Sequence, residues 1–246
     1  MYGTENLLKS LLAGAVSAPT LLAACSKDEV SPTASSGTTT TTTTTTTGGT
    51  TSSAGGCTEA PTETEGPFLT HTPASYVRAD ITGGRTGYKL TVNINVTNSK
   101  SSCAAVASEL VDIWHCDAEG NYSEYGGTAM QSTSYTNVHF LRGRQTTDSN
   151  GLVSFTSIFP GWYSGRVTHI HVHIYNASGT SLKVTQIAFP EGTGTALATV
   201  NGYKKGLTGY TTNANVFSDG YSLELATVTG NTTDGFVLNI TLAVAV

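Results

Sequence analysis

Charge is scarce in this 246-residue chain. Asp, Glu, Lys and Arg make up 12% of it, about half the roughly 25% of an ordinary globular protein. Seventeen acidic residues against twelve basic ones leave a formal net charge of -5. The basic residues are scattered and form no stripe that follows a phosphate backbone, which excludes a nucleic-acid partner. No uninterrupted apolar run reaches the ~18 residues of a spanning helix, which excludes a multi-span membrane protein. The four cysteines, at 25, 57, 103 and 116, include no CxxC pair, so neither a zinc ribbon nor a thioredoxin-type site can be built from them. Long apolar repeats of helical period flanked by caps are also missing, which argues against a helical fold.

What is present begins with a short apolar stretch, LLKSLLAGAVSAPTLLAA at 7–24, of a length that suits a signal segment better than a membrane span. Leu22-Ala23-Ala24-Cys25 resembles the bacterial lipobox, in which the cysteine becomes the lipidated first residue of the mature protein. The polar Ser26-Lys27-Asp28-Glu29 resembles the start of lipoproteins sent to the cell surface. The stretch departs from a standard signal in carrying Glu5 and only Lys9 as a positive charge. The expectation is a lipoprotein-type signal over 1–25, membrane association only through a lipid anchor at Cys25, and an extracytoplasmic location at the outer membrane or cell surface, with secretion as the alternative. Residues 26–56 are Ser, Thr, Gly and Ala for the most part, with ten consecutive Thr at 38–47. Such a segment has nothing to bury against its ordering entropy and reads as a disordered tether, spanning roughly 30 Å as a flexible coil. A glycosylated stalk is the competing reading, with sequons at Asn95, Asn121, Asn176, Asn231 and Asn239.

Residues 57–246 read as one all-β domain, a β-sandwich of mixed and antiparallel short strands with long functional loops. Tyr88 to Val96 alternates apolar and polar residues, as does Phe236 to Val246, the pattern of half-buried strands. Val111–Cys116, Leu152–Ile158 and His169–Tyr175 are further strands, and Ala196–Lys205 is a helical turn or two. Cys103 and Cys116 flank a turn and a strand and can form a disulfide in an oxidising compartment, and pairings 57–103 and 57–116 are equally left open by the sequence.

The stretch Arg166-Val167-Thr168-His169-Ile170-His171-Val172-His173 carries the most chemistry. A period of two puts the three histidines on one strand face and Ile170, Val172 and Ile174 on the other. Two imidazoles about 6–7 Å apart along a strand can converge on one metal ion. An HxH pair alone is a weak signal, because metallo-hydrolases and plain sheet surfaces contain it too. The neighbouring motifs make it specific: Thr64-Glu65-Gly66-Pro67-Phe68, VDIWHCDAEGNYS at 111–123, Arg142-Gly143, Thr147-Asp148 with Gly151, Pro160-Gly161-Trp162-Tyr163, and Thr185-Gln186. In this order and spacing the chain resembles the intradiol ring-cleavage dioxygenases, the catechol 1,2- and protocatechuate 3,4-dioxygenase family, and within it the extracellular single-domain branch. The resemblance runs over most of 57–190.

That resemblance implies an iron(III) cofactor, a catechol-like aromatic and O2 as substrates, and ring cleavage to a muconate-type diacid. It places Tyr122, Tyr163, His169 and His171 as the metal ligands. Phenolate oxygens suit a hard ferric ion and neutral imidazoles complete the set, while a phenol that ordinarily titrates near 10 stays ionised at neutral pH only beside a strong Lewis acid. It further implies that Tyr163 leaves the metal to act as a base toward the substrate, that Arg166 stabilises negative charge on the ring, and that Gln186 lies near the oxygen pocket. Trp162 packs nearby, and His115 and His139 fall outside the ligand pattern. His173 is a ligand, a supporting group or a core residue. The chain departs from catechol 1,2-dioxygenases in having no helical dimerisation segment before the domain, so no oligomeric state carries over. Two other readings stand beside this one: a non-catalytic, surface-anchored binding module, which leaves the tyrosines unexplained, and a zinc hydrolase, which lacks the carboxylate that activates water beside HxH.

Overall fold

A computed structural model describes residues 57–163, 165–200 and 216–246. The expected signal segment, lipobox and tether lie outside these residues. Among the described residues nine strands form two sheets: β1 (Lys89–Asn98), β2 (Ala104–Ala105), β3 (Leu110–Trp114), β4 (Arg142–Thr146), β5 (Leu152–Ile158), β6 (His169–Tyr175), β7 (Ser181–Ala188), β8 (Thr227–Asn231) and β9 (Gly235–Val244). One sheet runs β2-β1-β9-β8 with β5 also paired to β1, and the other runs β4-β3-β6-β7. The fold is the expected β-sandwich, with β1 and β9 parallel and the remaining pairs antiparallel.

Alternation dictates the core. Leu90, Val92, Ile94 and Val96 of β1 and Phe236, Leu238 and Leu242 of β9 turn their side chains into it, and Val111, Ile113, Ile170, Val172 and Ile174 meet them from the second sheet. Each such aliphatic side chain contributes about 1.5–3 kcal/mol on burial. β3 stops at Trp114, so His115 and Cys116 fall in the loop beyond the strand. The helical turn is α1 (Ala196–Thr199), shorter than expected because Val200 is already extended (φ -71°, ψ 126°); residues 201–205 of the expected span lie outside the described residues. The short β2 and β8 and the polar strand β4 lack a clear apolar alternation, and pairing with neighbours defines them.

The disulfide is one of the pairings left open rather than Cys103–Cys116: Cys57 pairs with Cys103, while Cys116 keeps its thiol, buried with Phe68, Trp114 and Tyr122. β3 explains the difference. It begins shortly after Cys103 and its five residues, at about 3.3 Å each, carry Cys116 to the far end of the strand. The Cys57–Cys103 bond instead staples the start of the domain beside β1. From there residues 57–70 run across the second sheet as a strap, held by Lys183 Nζ to Ala60 O at 3.0 Å and Glu59 at 3.2 Å, and by Glu63 N–H to Val184 O at 3.0 Å.

Candidate metal centre

The outer face of β6, under the strap, holds the histidines. His169 and His171 are fully buried, with ring centroids 4.9 Å apart and Nε2 atoms 3.2 Å apart. His169 Nδ1 donates to Val167 O at 2.7 Å, which fixes its tautomer and leaves an Nε2 lone pair facing inward. The His171 ring stacks flat on Trp114, 4.9 Å between centroids and 4° between planes. Its Nδ1 has no hydrogen-bond partner among the described residues, so packing rather than hydrogen bonding orients it. Burial first, then the Arg166 charge for His169 and the neighbouring His169 and Arg166 for His171, hold both imidazoles well below the ordinary histidine range. Both are neutral bases at pH 7.

The two tyrosines arrive on loops that lock together through glycine. Gly120 (φ +83°) sits where a Cβ would come 2.6 Å from Trp162 O, and a Cβ on Gly161 would come 2.5 Å from Ala118 O. Only bare backbone lets the loop before Tyr122 and the loop before Tyr163 lie so close. Gln131 clamps the Tyr122 backbone on both sides, accepting its N–H at 2.7 Å and donating to its C=O at 2.9 Å. Tyr122 Oη then lies 3.2 Å from His169 Nε2, and its ring is stacked on Phe68 of the strap at 3.9 Å. Tyr163 stands edge-on to Tyr122 and His169, at 5.8 and 5.9 Å. Burial raises both phenols above the ordinary value, Tyr122 the more strongly; for Tyr163 the nearby Arg166 opposes the rise.

Arg166 donates from Nη1 to Tyr163 Oη at 3.2 Å and from Nη2 to Gln186 Oε1 at 2.5 Å, while Gln186 Nε2 donates to Thr64 O at 2.9 Å. The six residues singled out by sequence, Tyr122, Tyr163, Arg166, His169, His171 and Gln186, therefore meet in one place. His173 points the same way from β6 but stands apart from the His169–His171 contact: Glu65 of the strap at 2.7 Å, Ser181 at 2.8 Å and Tyr175 at 2.8 Å hold it. His115 is buried and bonded to Cys116 O and Ser157 Oγ, held down to about 4 by burial, a packing role. His139 is bonded to Glu124 and Tyr76.

Two supports escaped the sequence reading. Buried Arg142 donates to Phe68 O at 2.7 Å, Thr70 Oγ1 at 2.9 Å, Ser123 Oγ at 2.8 Å and Ser123 O at 2.5 Å, tying the strap to the Tyr122 loop. Burial pulls its guanidinium down to about 10, still cationic at pH 7. Gln131 is the other. Arg142 stood in the sequence only as part of a motif, its partners lying 19 to 74 positions away; Gln131 reaches backbone two to nine positions away within one loop whose course no periodicity announces.

The donor chemistry fits iron. Among the described residues no set of three or more His, Cys, Asp or Glu side chains is placed to hold a metal. Counting the phenols gives two oxygens and two neutral imidazole nitrogens, suited to a hard trivalent cation.

A family model described as a dioxygenase matches residues 64–225. Among solved structures, an intradiol ring-cleavage dioxygenase from Tetranychus urticae is 27% identical with a TM-score of 0.67, covering 77% of this chain and 95% of its own. The dioxygenase domain of a dioxygenase carbohydrate-binding protein fusion from Streptomyces sp. SirexAA-E is 24% identical with a TM-score of 0.56, covering 77% of this chain and 99% of its own. A 3-chlorocatechol 1,2-dioxygenase from Rhodococcus opacus 1CP shares the fold at 18% identity and a TM-score of 0.53, over 76% of this chain and 73% of its own. No curated protein sequence matches significantly.

Proposed function

Because the chain belongs to the intradiol ring-cleavage dioxygenases, we propose that Tyr122, Tyr163, His169 and His171 hold one iron(III) ion and that the enzyme cleaves a catechol-type ring between its two hydroxyl-bearing carbons. The observation that carries this reading is the convergence of Tyr122 Oη, His169 Nε2 and His171 Nε2 through successive 3.2 Å approaches, with Tyr163 beside them. When bound, the ferric ion supplies the Lewis acidity that ionises phenols at neutral pH and activates a chelated catechol toward O2.

The chain's own residues supply the rest. Tyr163 is less buried than Tyr122 and has Arg166 on its oxygen, which favours its ionised form, so it is the side chain that, as a phenolate, would take up a substrate hydroxyl proton and become the neutral phenol. Arg166, aimed by Gln186 and through it by the strap, offers a fixed cation to negative charge building on the ring. Phe68, Trp114 and Tyr122 form an apolar wall that keeps water from the histidines. Both atoms of O2 enter the substrate and the product is a muconate-type diacid, so no further oxidant or reductant is needed. The test is oxygen uptake with catechol together with the product's mass. One O2 consumed per ring and a diacid heavier than the substrate by one O2 support the reading; a quinone or a hydroxylated intact ring opposes it.

The lipobox-like run ending at Cys25 supports lipid anchoring outside the cytoplasm, and the Cys57–Cys103 disulfide agrees with an oxidising compartment. Cys25→Ala should release the protein from the membrane fraction, and unchanged retention there would oppose the anchor.

A further inference from the structure

A cavity of about 460 Å³ is walled by Arg78, Arg85, Tyr135, Asn137, His139 and Phe140. Its volume falls within the roughly 300–1,000 Å³ of small-molecule sites. None of Tyr122, Tyr163, Arg166, His169 or His171 lines it.

The cavity is preformed on one side. At Gly83 (φ +54°) a Cβ would lie 2.7 Å from Phe140 Cβ, so the turn that leads to Arg85 is seated directly on Phe140. At Gly84, also on the wall, a Cβ would meet nothing within 4 Å.

Its three basic side chains are not equivalent. Arg85 forms an ion pair with Asp117 and lies over the Tyr135 and Phe140 rings, 5.1 and 4.6 Å from their centroids. His139 is held by the buried carboxylate of Glu124 at 2.9 Å. Burial pushes that carboxyl up, but the His71 N–H and the His139 and Tyr76 side chains outweigh it and keep it below the ordinary range. Arg85 and His139 thus each face a compensating anion. Arg78 does not: its Nε donates to Arg142 O at 2.9 Å and its Nη2 to His139 O, both neutral carbonyls, and it stands over the Tyr76 ring at 5.3 Å. Asp80 feels its charge yet turns its carboxylate to Thr82 N and Oγ1 at 2.9 and 2.7 Å. Among the described residues no ion pair neutralises Arg78. A guanidinium has five N–H donors in a planar fork, and three of Arg78's remain after those two bonds. In a chain with a net charge of -5, this is an uncompensated cation on a cavity wall, beside the exposed Asn137 amide.

We propose that this cavity is a binding site for a small organic carboxylate, received by Arg78 in the bidentate manner guanidinium groups favour. The chemistry has two sources, a ring-cleavage diacid or an aromatic acid from the surroundings, and the site shares none of the proposed metal ligands.

The test is calorimetric titration of the metal-loaded full chain with cis,cis-muconate and, separately, with benzoate, in wild type, Arg78→Gln and Asn137→Asp. Wild type should show saturable binding of at least one probe; muconate alone points to the diacid, benzoate alone to aromatic acids, and both to the carboxylate as such. Arg78→Gln should weaken it about tenfold or more, as expected for a lost charge-assisted hydrogen bond. Asn137 is exposed, so Asn137→Asp leaves the packing intact and should weaken binding through its added charge; it decides the matter should Arg78→Gln fold poorly. Equal affinity in wild type and a folded variant, or no saturable binding below about 10 mM, would overturn the proposal.

Discussion

Strand β6 is buried on both faces, and the two faces differ in everything except burial. On the inner face Ile170, Val172 and Ile174 are wholly removed from water among the aliphatic side chains of the opposite sheet. On the outer face His169, His171 and His173 are almost as inaccessible, under a strap of polar and aromatic residues. Burying an aliphatic side chain stabilises the fold by a few kcal/mol, whereas burying an imidazole costs free energy unless its nitrogens find partners. His173 has partners on both nitrogens. His171 does not, and His169 and His171 turn their Nε2 atoms toward each other. One face of the strand stabilises the sandwich; the other holds, at a cost in stability, buried imidazoles of which His171 lacks a partner at Nδ1 among the described residues.

The largest effect that separates the faces is expected from His171→Ala. It should abolish metal retention and reduce turnover by about 10³-fold or more, while the metal-free protein melts no lower than metal-free wild type. A melting point lowered as far as by a core truncation would erase the distinction. Next, Tyr163→Phe should weaken the iron–phenolate colour and slow turnover by about 10²–10⁴-fold, the range for a lost acid–base group, with the fold intact by circular dichroism; wild-type activity would remove Tyr163 from the site. On the inner face, Ile170→Ala should cost about 2–5 kcal/mol in denaturant unfolding with the metal spectrum retained in the folded fraction.

A subtler contrast lies in pH. Burial, with Glu63 nearby, raises Glu224 to about 8, and burial raises Glu63 itself to about 7, from an ordinary 4.5. The folded chain keeps these protons where the unfolded chain has released them. Their contribution is complete below about 4.5 and is lost as pH rises through 7 to 8. His115 behaves oppositely: held at about 4 against an ordinary 6.5, it contributes fully above 6.5 and loses that contribution as pH falls toward 4. Metal-free protein should therefore melt highest between these limits, with each group sloping by at most about 1.4 kcal/mol per pH unit. Glu224→Gln should flatten the alkaline side alone, and an unchanged alkaline limb would contradict the assignment. The smallest effect is expected from His173→Ala, which should retain iron and lower stability slightly by releasing Glu65.

How much of this was legible beforehand follows from sequence distance. The histidine face of β6 and the aliphatic faces of β1 and β9 are written in local alternation, and PGWY with RVTHIH sits in one short stretch. Tyr163, Arg166, His169 and His171 lie within that stretch, whereas Tyr122 and Gln186 lie outside it, and the roles of the two tyrosines, Arg166 and Gln186 came from the family resemblance of the motifs. Arg142 and Gln131 were not foreseen as supports, because each bonds to backbone carbonyls and amides that only the folded loops bring near. The Cys57–Cys103 bond required knowing that β3 carries Cys116 away. Phe68, quoted only as part of a motif, proves to be the ring stacked on Tyr122, a contact across more than fifty positions.

The most direct measurement is metal analysis with a visible absorption spectrum of the purified full chain, before and after adding catechol without oxygen. The account predicts about one iron per chain and a burgundy phenolate-to-iron(III) band that shifts as catechol binds. A colourless protein that stays iron-free after reconstitution would contradict it.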